Sequence, residues 1–211
     1  MHIAIGKKSK SEEDCMRFFR ENSDSIVKLY INQIGVAIFS MFLYTAAAAL
    51  SLDGVASMLV KVGISVFAIL FYFSLVYTVA WEIGAKDKIR IDAGRMEEKK
   101  TKGLYIGLWA NSPNFVFIGL AFVLFAMYMV FGVEALYSIF VILNGIFRIF
   151  VSMYLGVIQG LTEGLSGDFD LLIETALYVL FSLIGAVVTY LSYLMGLKDK
   201  RLFPMPPKNN N

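Results

Sequence analysis

"VEALYSIFVILNGIFRIFVSMYLGVIQGLTEG", residues 133–164, is apolar for longer than a single membrane crossing needs, yet it holds an arginine, Arg148, near its middle. The reading of this stretch decides how many times the chain crosses a membrane and on which side it ends. A helix needs about 20 apolar residues to cross a hydrocarbon core about 30 Å thick. Taken as one crossing, 134–161 is the fourth of five apolar segments, at about 26–50, 58–83, 113–131, 134–161 and 171–197. The expected fold class is therefore all-α: a polytopic integral membrane helical bundle over 25–197 with five transmembrane helices.

Composition supports the class. Of 211 residues 58% are hydrophobic and only 17% charged, where soluble domains carry about 25% charge. Lysines and arginines in short loops set orientation. Six fall in the stretch ending at Lys28, and seven in "KDKIRIDAGRMEEKKTK", residues 86–102, while the turns near Asp53 and Gly132 hold none. Both basic segments are expected in the cytoplasm, with 84–103 as a basic loop that could also dock a cytoplasmic partner. Five crossings then put the tail 198–211 outside, against the charge of Lys198, Lys200, Arg201 and Lys208. The alternative is that 134–161 is re-entrant or interfacial, which brings the tail inside.

Local signals set the remaining boundaries. Residues 1–24 lack the apolar core and small-residue cleavage site of a signal peptide. Ser11 with Glu12, Glu13 and Asp14 reads as a helix start, and Met16, Phe18 and Phe19 beside Arg17 and Arg20 as the apolar side of a short interfacial helix. Asp53-Gly54 closes the first hairpin, and Asp168 or Asp170 can cap the last helix. Pro204, Pro206 and Pro207 make 198–211 an expected disordered tail. In "GLWANSPNFVFIG", residues 107–119, Asn111 or Ser112 is the expected N-cap and Pro113 suits the first helical position. That places the polar group at the cytoplasmic surface, makes 104–110 with Trp109 an interfacial lead-in, and leaves a candidate anion or lipid-headgroup contact at the helix start.

Within 133–164, Asn144, Arg148 and Ser152 recur at four-residue spacing, and Gln159 and Glu163 continue close to the same helical stripe. An arginine deep in a crossing costs at least about 2.5–3.5 kcal/mol, so it must face protein or water and find a partner. Two readings stand: Arg148 snorkels or pairs to hold helices together, or it binds or moves a solute. Glu82 and Glu174 are the candidate counter-charges. In the five-crossing arrangement both lie on the cytoplasmic side with Gln33, Tyr77 and Thr78, lining a polar vestibule; alternatively Glu174 complements a helix N-terminus and Glu82 sits at the interface with Trp81. Lys61 reads as a snorkelling side chain. Ser152, Gly156, Gly160 and Gly164 form a small-residue stripe that lets a neighbouring helix approach closely, in this chain or in a second copy.

"YTVAWEIGAKDKIRIDAGR", residues 77–95, followed by "KGLYIGLWANSPNFVF", residues 102–117, and the closing "YLMGLKDKRLF", residues 193–203, resemble stretches of small, uncharacterised multi-pass membrane proteins of Gram-positive, clostridia-like bacteria. The resemblance implies a bacterial plasma membrane location and carries no catalytic or binding residue.

No catalytic motif is present in the sequence, and the single His2 and single Cys15 give no metal or disulfide pattern. A net charge of +2 gives no nucleic-acid footprint. The expectation is a non-enzymatic scaffold or accessory subunit without cofactor, partnered by the lipid bilayer and by another membrane protein or a second copy. The alternative is a small transporter or channel-like protein for an anionic solute, using the stripe around Arg148.

Overall fold

A computed structural model describes residues 2–49, 54–162 and 168–202, which form seven helices and, among the described residues, no strand. They are α1 (His2–Ala48), α2 (Gly54–Asp92), α3 (Lys102–Ala110), α4 (Ser112–Phe131), α5 (Glu134–Phe150), α6 (Ser152–Thr162) and α7 (Asp168–Leu197). Four helices are long and apolar enough to cross a membrane, or five if the bent pair α5–α6 counts as one span.

Two expected boundaries move because charged helix formers carry the helix on. α1 is one helix of 47 residues, so the N-terminal segment continues into the first long apolar helix and Ser11 does not start a separate one. Neither proline nor a turn interrupts it, and Arg17–Glu21 at 2.9 Å supports an exposed turn in the i,i+4 register. Phe18 and Phe19 rest on Tyr105 and Trp109 of α3. Likewise α2 runs through Lys86 to Asp92, taking up the first part of the expected basic loop. It ends only where Gly94 adopts φ 66 and the N–H groups of Gly94 and Arg95 close on the carbonyls of Ile91 and Arg90, both at 2.9 Å. That is a Schellman stop, which needs a left-handed residue. Asp53, Glu163, Gly164 and the prolines of the tail lie outside the described residues, and so do the side chains of Asp168 and Asp170.

The contacts between helices give their directions. Tyr72 of α2 lies beside Gly185 of α7, and twelve residues further on Gly84 lies against Tyr193 and Gly196. The two helices therefore run parallel, and the glycines let their backbones touch. α3 and α4 run the other way along α7: Gly103 meets Tyr193, Gly107 meets Ala186 and Thr189, Asn111 meets Gly185, and Ile118 shares a cavity with Tyr178. α5 returns along α4 through the ring pairs Tyr128–Tyr137, Phe125–Phe140 and Phe117–Phe147.

At Val151 the chain turns by 111° between α5 and α6. α6 then leaves along α1 and α2, with Ser152 at Ala37, Gly156 at Tyr44 and Lys61, and Gly160 at Val62 and Met58. That course leads back to the end of the bundle from which α5 came. Had 134–161 been a straight crossing, α7 would oppose α2. The hairpin reverses it instead, because Val151 at the apex is fully buried and Ser152 is tied to α1.

Candidate functional site

The residues of the expected stripe part company at the break. Arg148, in the last turn of α5, places Nη2 2.6 Å from Glu174 Oε2 on α7, and Tyr178 donates its hydroxyl to Glu174 Oε1 at 3.0 Å. Glu174 is 13% exposed and Arg148 42%, and Arg148 Nε has no partner among the described residues. Asn144, one turn earlier, lines a cavity of about 20 Å³ with Thr175 and Tyr178 among the phenylalanines of α4 and α5; such a space holds about one water. Ser152 lies past the bend, buried, with Oγ donating to the Ala37 carbonyl at 2.6 Å. Gln159 is exposed. A regular stripe requires an unbroken helix, so the bend at Val151 disperses it.

The counter-charges separate for the same reason. Because α2 and α7 are parallel, Glu82 late in α2 and Glu174 early in α7 stand at opposite ends of the bundle. Glu82 is taken by Lys86 at 2.6 Å, and the Tyr77 hydroxyl accepts the Leu202 N–H at 2.9 Å. Gln33 is buried. The vestibule expected from the sequence is not assembled by these groups.

The small residues do pack, within this chain. A Cβ at Gly156 would run into the Lys61 carbonyl, and one at Gly160 would meet Val62. The Gly156 N–H donates to Tyr44 Oη at 2.6 Å and Ser65 Oγ at 2.8 Å, and these two hydroxyls also bond to each other. One polar node thus joins α1, α2 and α6.

In "GLWANSPNFVFIG" the two asparagines face the interior of the bundle while Val116 is exposed. Asn111 occupies the N-cap position of α4 in a helical conformation without a capping bond. Its Nδ2 donates to the Gly107 carbonyl at 2.9 Å, its Oδ1 accepts from Asn114 at 3.3 Å, and both asparagines are buried. Ser112 Oγ donates at 2.8 Å to the Trp109 carbonyl, the acceptor that Pro113, lacking an N–H, cannot serve. The polar group therefore repairs a break between α3 and α4, which follow one path along α7, and Asn111 meets α7 near its middle, at Gly185. The lead-in 104–110 is the first part of that path.

Asp87 is the residue that sequence reasoning misplaced. Lying within the expected basic loop 84–103, it is 2% exposed, with Oδ2 2.7 Å from Lys102 Nζ and accepting the Tyr193 hydroxyl at 3.0 Å, while Arg90 stands 3.8 Å from Oδ1. Its signal was available: Val76, Ala80, Gly84 and Asp87 continue the buried face of α2 at helical spacing. A cleft of about 270 Å³ opens beside it between α1, α2 and α3, walled by Glu21, Asp24, Lys28, Glu82, Lys86 and Lys102 among others. Acids and bases alternate around it, which gives no single-sign field to attract one kind of ion. In comparisons with family models, with curated proteins and with solved structures, nothing matches this chain.

Proposed function

We propose that the chain is a multi-pass protein of a bacterial plasma membrane with four crossings, a re-entrant hairpin α5–α6, and both ends in the cytoplasm, and that it serves as a non-enzymatic scaffold or accessory subunit of a membrane complex. Charge supports the orientation. Every lysine and arginine except Lys61 and Arg148 belongs to the segment ending at Lys28, the α2–α3 connection with its flanks, or the residues after α7. The parallel course of α2 and α7 brings those three regions to one end, as positive-inside orientation requires. The charge conflict of five crossings then disappears.

One observation carries the scaffold reading: the charge of Arg148 closes on a partner within the chain, Glu174 of α7. Non-helical backbone at membrane depth is tolerated where protein buries it or where it lines water, and the fully buried Val151 fits the first case.

The test uses Arg148→Met and the double variant Arg148→Met/Glu174→Met. The single variant is expected to lower yield and thermal stability in detergent by leaving Glu174 unpaired, and the double variant to recover them. Reconstituted vesicles should show no anion uptake for the wild type or the double variant. Anion uptake by the wild type that a well-folded double variant loses would overturn the scaffold reading in favour of the transporter.

A further inference from the structure

Between α2 and α7 runs a groove of about 360 Å³ walled by Leu70, Phe73, Tyr77, Val188, Leu191 and Met195, with Leu70 and Leu191 exposed. Ser74 and Ser192 also line it, but their hydroxyls donate to the carbonyls of Leu70 and Val188 on their own helices, at 2.9 and 2.7 Å. The Tyr77 hydroxyl accepts the Leu202 N–H, and the rest of the wall is apolar. From Leu70 to Tyr77 it follows two turns of helix, about 10 Å.

The end of the groove nearest the chain terminus is closed by a strap. α7 stops in a Schellman turn: Asp199 takes φ 53, its N–H bonds the Gly196 carbonyl at 3.1 Å, and the Lys200 N–H bonds the Met195 carbonyl at 3.0 Å. This turn sends the chain back across α2. Trp81 donates its indole N–H to the Lys200 carbonyl at 2.8 Å, Arg201 stacks over the Trp81 ring at 4.6 Å, and Leu202 enters the groove wall. Stacking occupies the face of the guanidinium and leaves its N–H edge for an acceptor. Lys198, Lys200 and Arg201 outweigh Asp199, all four exposed, at the level where a tryptophan marks the membrane interface.

We infer that groove and strap form a seat for one anionic phospholipid, its acyl chain lying along the α2–α7 groove and its phosphate against Lys200 and Arg201. The apolar wall selects a hydrocarbon chain over a polar segment, since a peptide backbone laid there would find no hydrogen-bond partners. The excess of cations in the strap selects an anionic headgroup, each charge near a membrane surface contributing about fivefold in affinity. The seat goes beyond the scaffold reading and is untouched by the outcome of the Arg148 test.

The full chain in nanodiscs of phosphatidylcholine mixed with phosphatidylglycerol, released for native mass spectrometry, tests it. The wild type should retain one phosphatidylglycerol in preference to phosphatidylcholine. Lys200→Gln with Arg201→Gln should keep a bound lipid but lose the headgroup preference, about fivefold for each charge, and Arg201→Lys should retain the preference. The Trp81 bond uses the Lys200 backbone, so these variants keep that anchor of the strap. Ser74→Phe fills the groove and should lose the lipid, while an unchanged helical circular dichroism spectrum shows that it has folded. Equal retention of both lipids by the wild type, an undiminished preference in the double variant, or full lipid retention by a folded Ser74→Phe would each overturn the proposal.

Discussion

At the scale of residues, the chain pairs its buried acids and bonds the asparagine at the α3–α4 break, while the buried Ser40 and Ser182 hydroxyls have no partner among the described residues. Asp87 lies between Lys102 and Tyr193, Glu174 between Arg148 and Tyr178, and Asn111 bonds both Gly107 and Asn114. A buried charge that loses its partner costs more than the pair contributes. Lys102→Met should therefore lower stability by about 3–5 kcal/mol, and Lys102→Met with Asp87→Leu should recover most of it. Thermal unfolding in detergent measures both. A Lys102→Met loss no larger than that of the exposed Lys99→Met would mean that Asp87 carries no uncompensated charge. The spacing of Val76, Ala80, Gly84 and Asp87 made the burial of Asp87 legible, but its partners lie 15 and 106 residues away in sequence, and no local pattern names them.

At the scale of elements, the hairpin α5–α6 is held from outside itself. No proline lies between Glu134 and Thr162, so the 111° bend is not imposed by a residue that breaks helices by its own covalent geometry. Its supports are the burial of Val151, the Ser152–Ala37 bond and the contact of Gly156 with α1 and α2. Gly156→Ala should accordingly destabilise by about 1–3 kcal/mol, because its Cβ meets backbone that cannot yield. Gly145→Ala, on α5 with nothing within 4 Å, should instead stabilise by about 0.5–1 kcal/mol, as alanine favours helix interiors over glycine. Limited proteolysis of the α6–α7 connection, compared between the two variants, reads the same difference. Equal behaviour of the two variants would mean that α6 is not docked through Gly156.

At the scale of the whole molecule, the parallel course of α2 and α7 supports the proposed four-crossing topology, which labelling tests. If the hairpin re-enters, tags at both termini should stay protected in intact cells and become accessible together after permeabilisation. A cysteine at Glu134, in a Cys15→Ser background, should be labelled from outside. A C-terminal tag labelled in intact cells would restore five crossings. In the proposed four-crossing arrangement the predominantly basic ends and the α2–α3 connection would share one side, as positive-inside orientation favours and five crossings do not give.

The sequence by itself determined the all-helical class, with several segments long and apolar enough to cross a membrane, and the grouping of basic charge, because hydropathy and charge are properties of neighbouring residues. Gly156 and Gly160, members of the small-residue spacing, lie against the Lys61 carbonyl and Val62. Only the tertiary structure decided the direction of α7 relative to α2, the dispersal of the Arg148 stripe, and the position of Asn111 beside Gly185. Each depends on which helix lies against which. A helix bends, or buries a polar side chain, when distant segments supply the contacts that repay it, and those contacts are absent from any window of sequence that contains the residue itself.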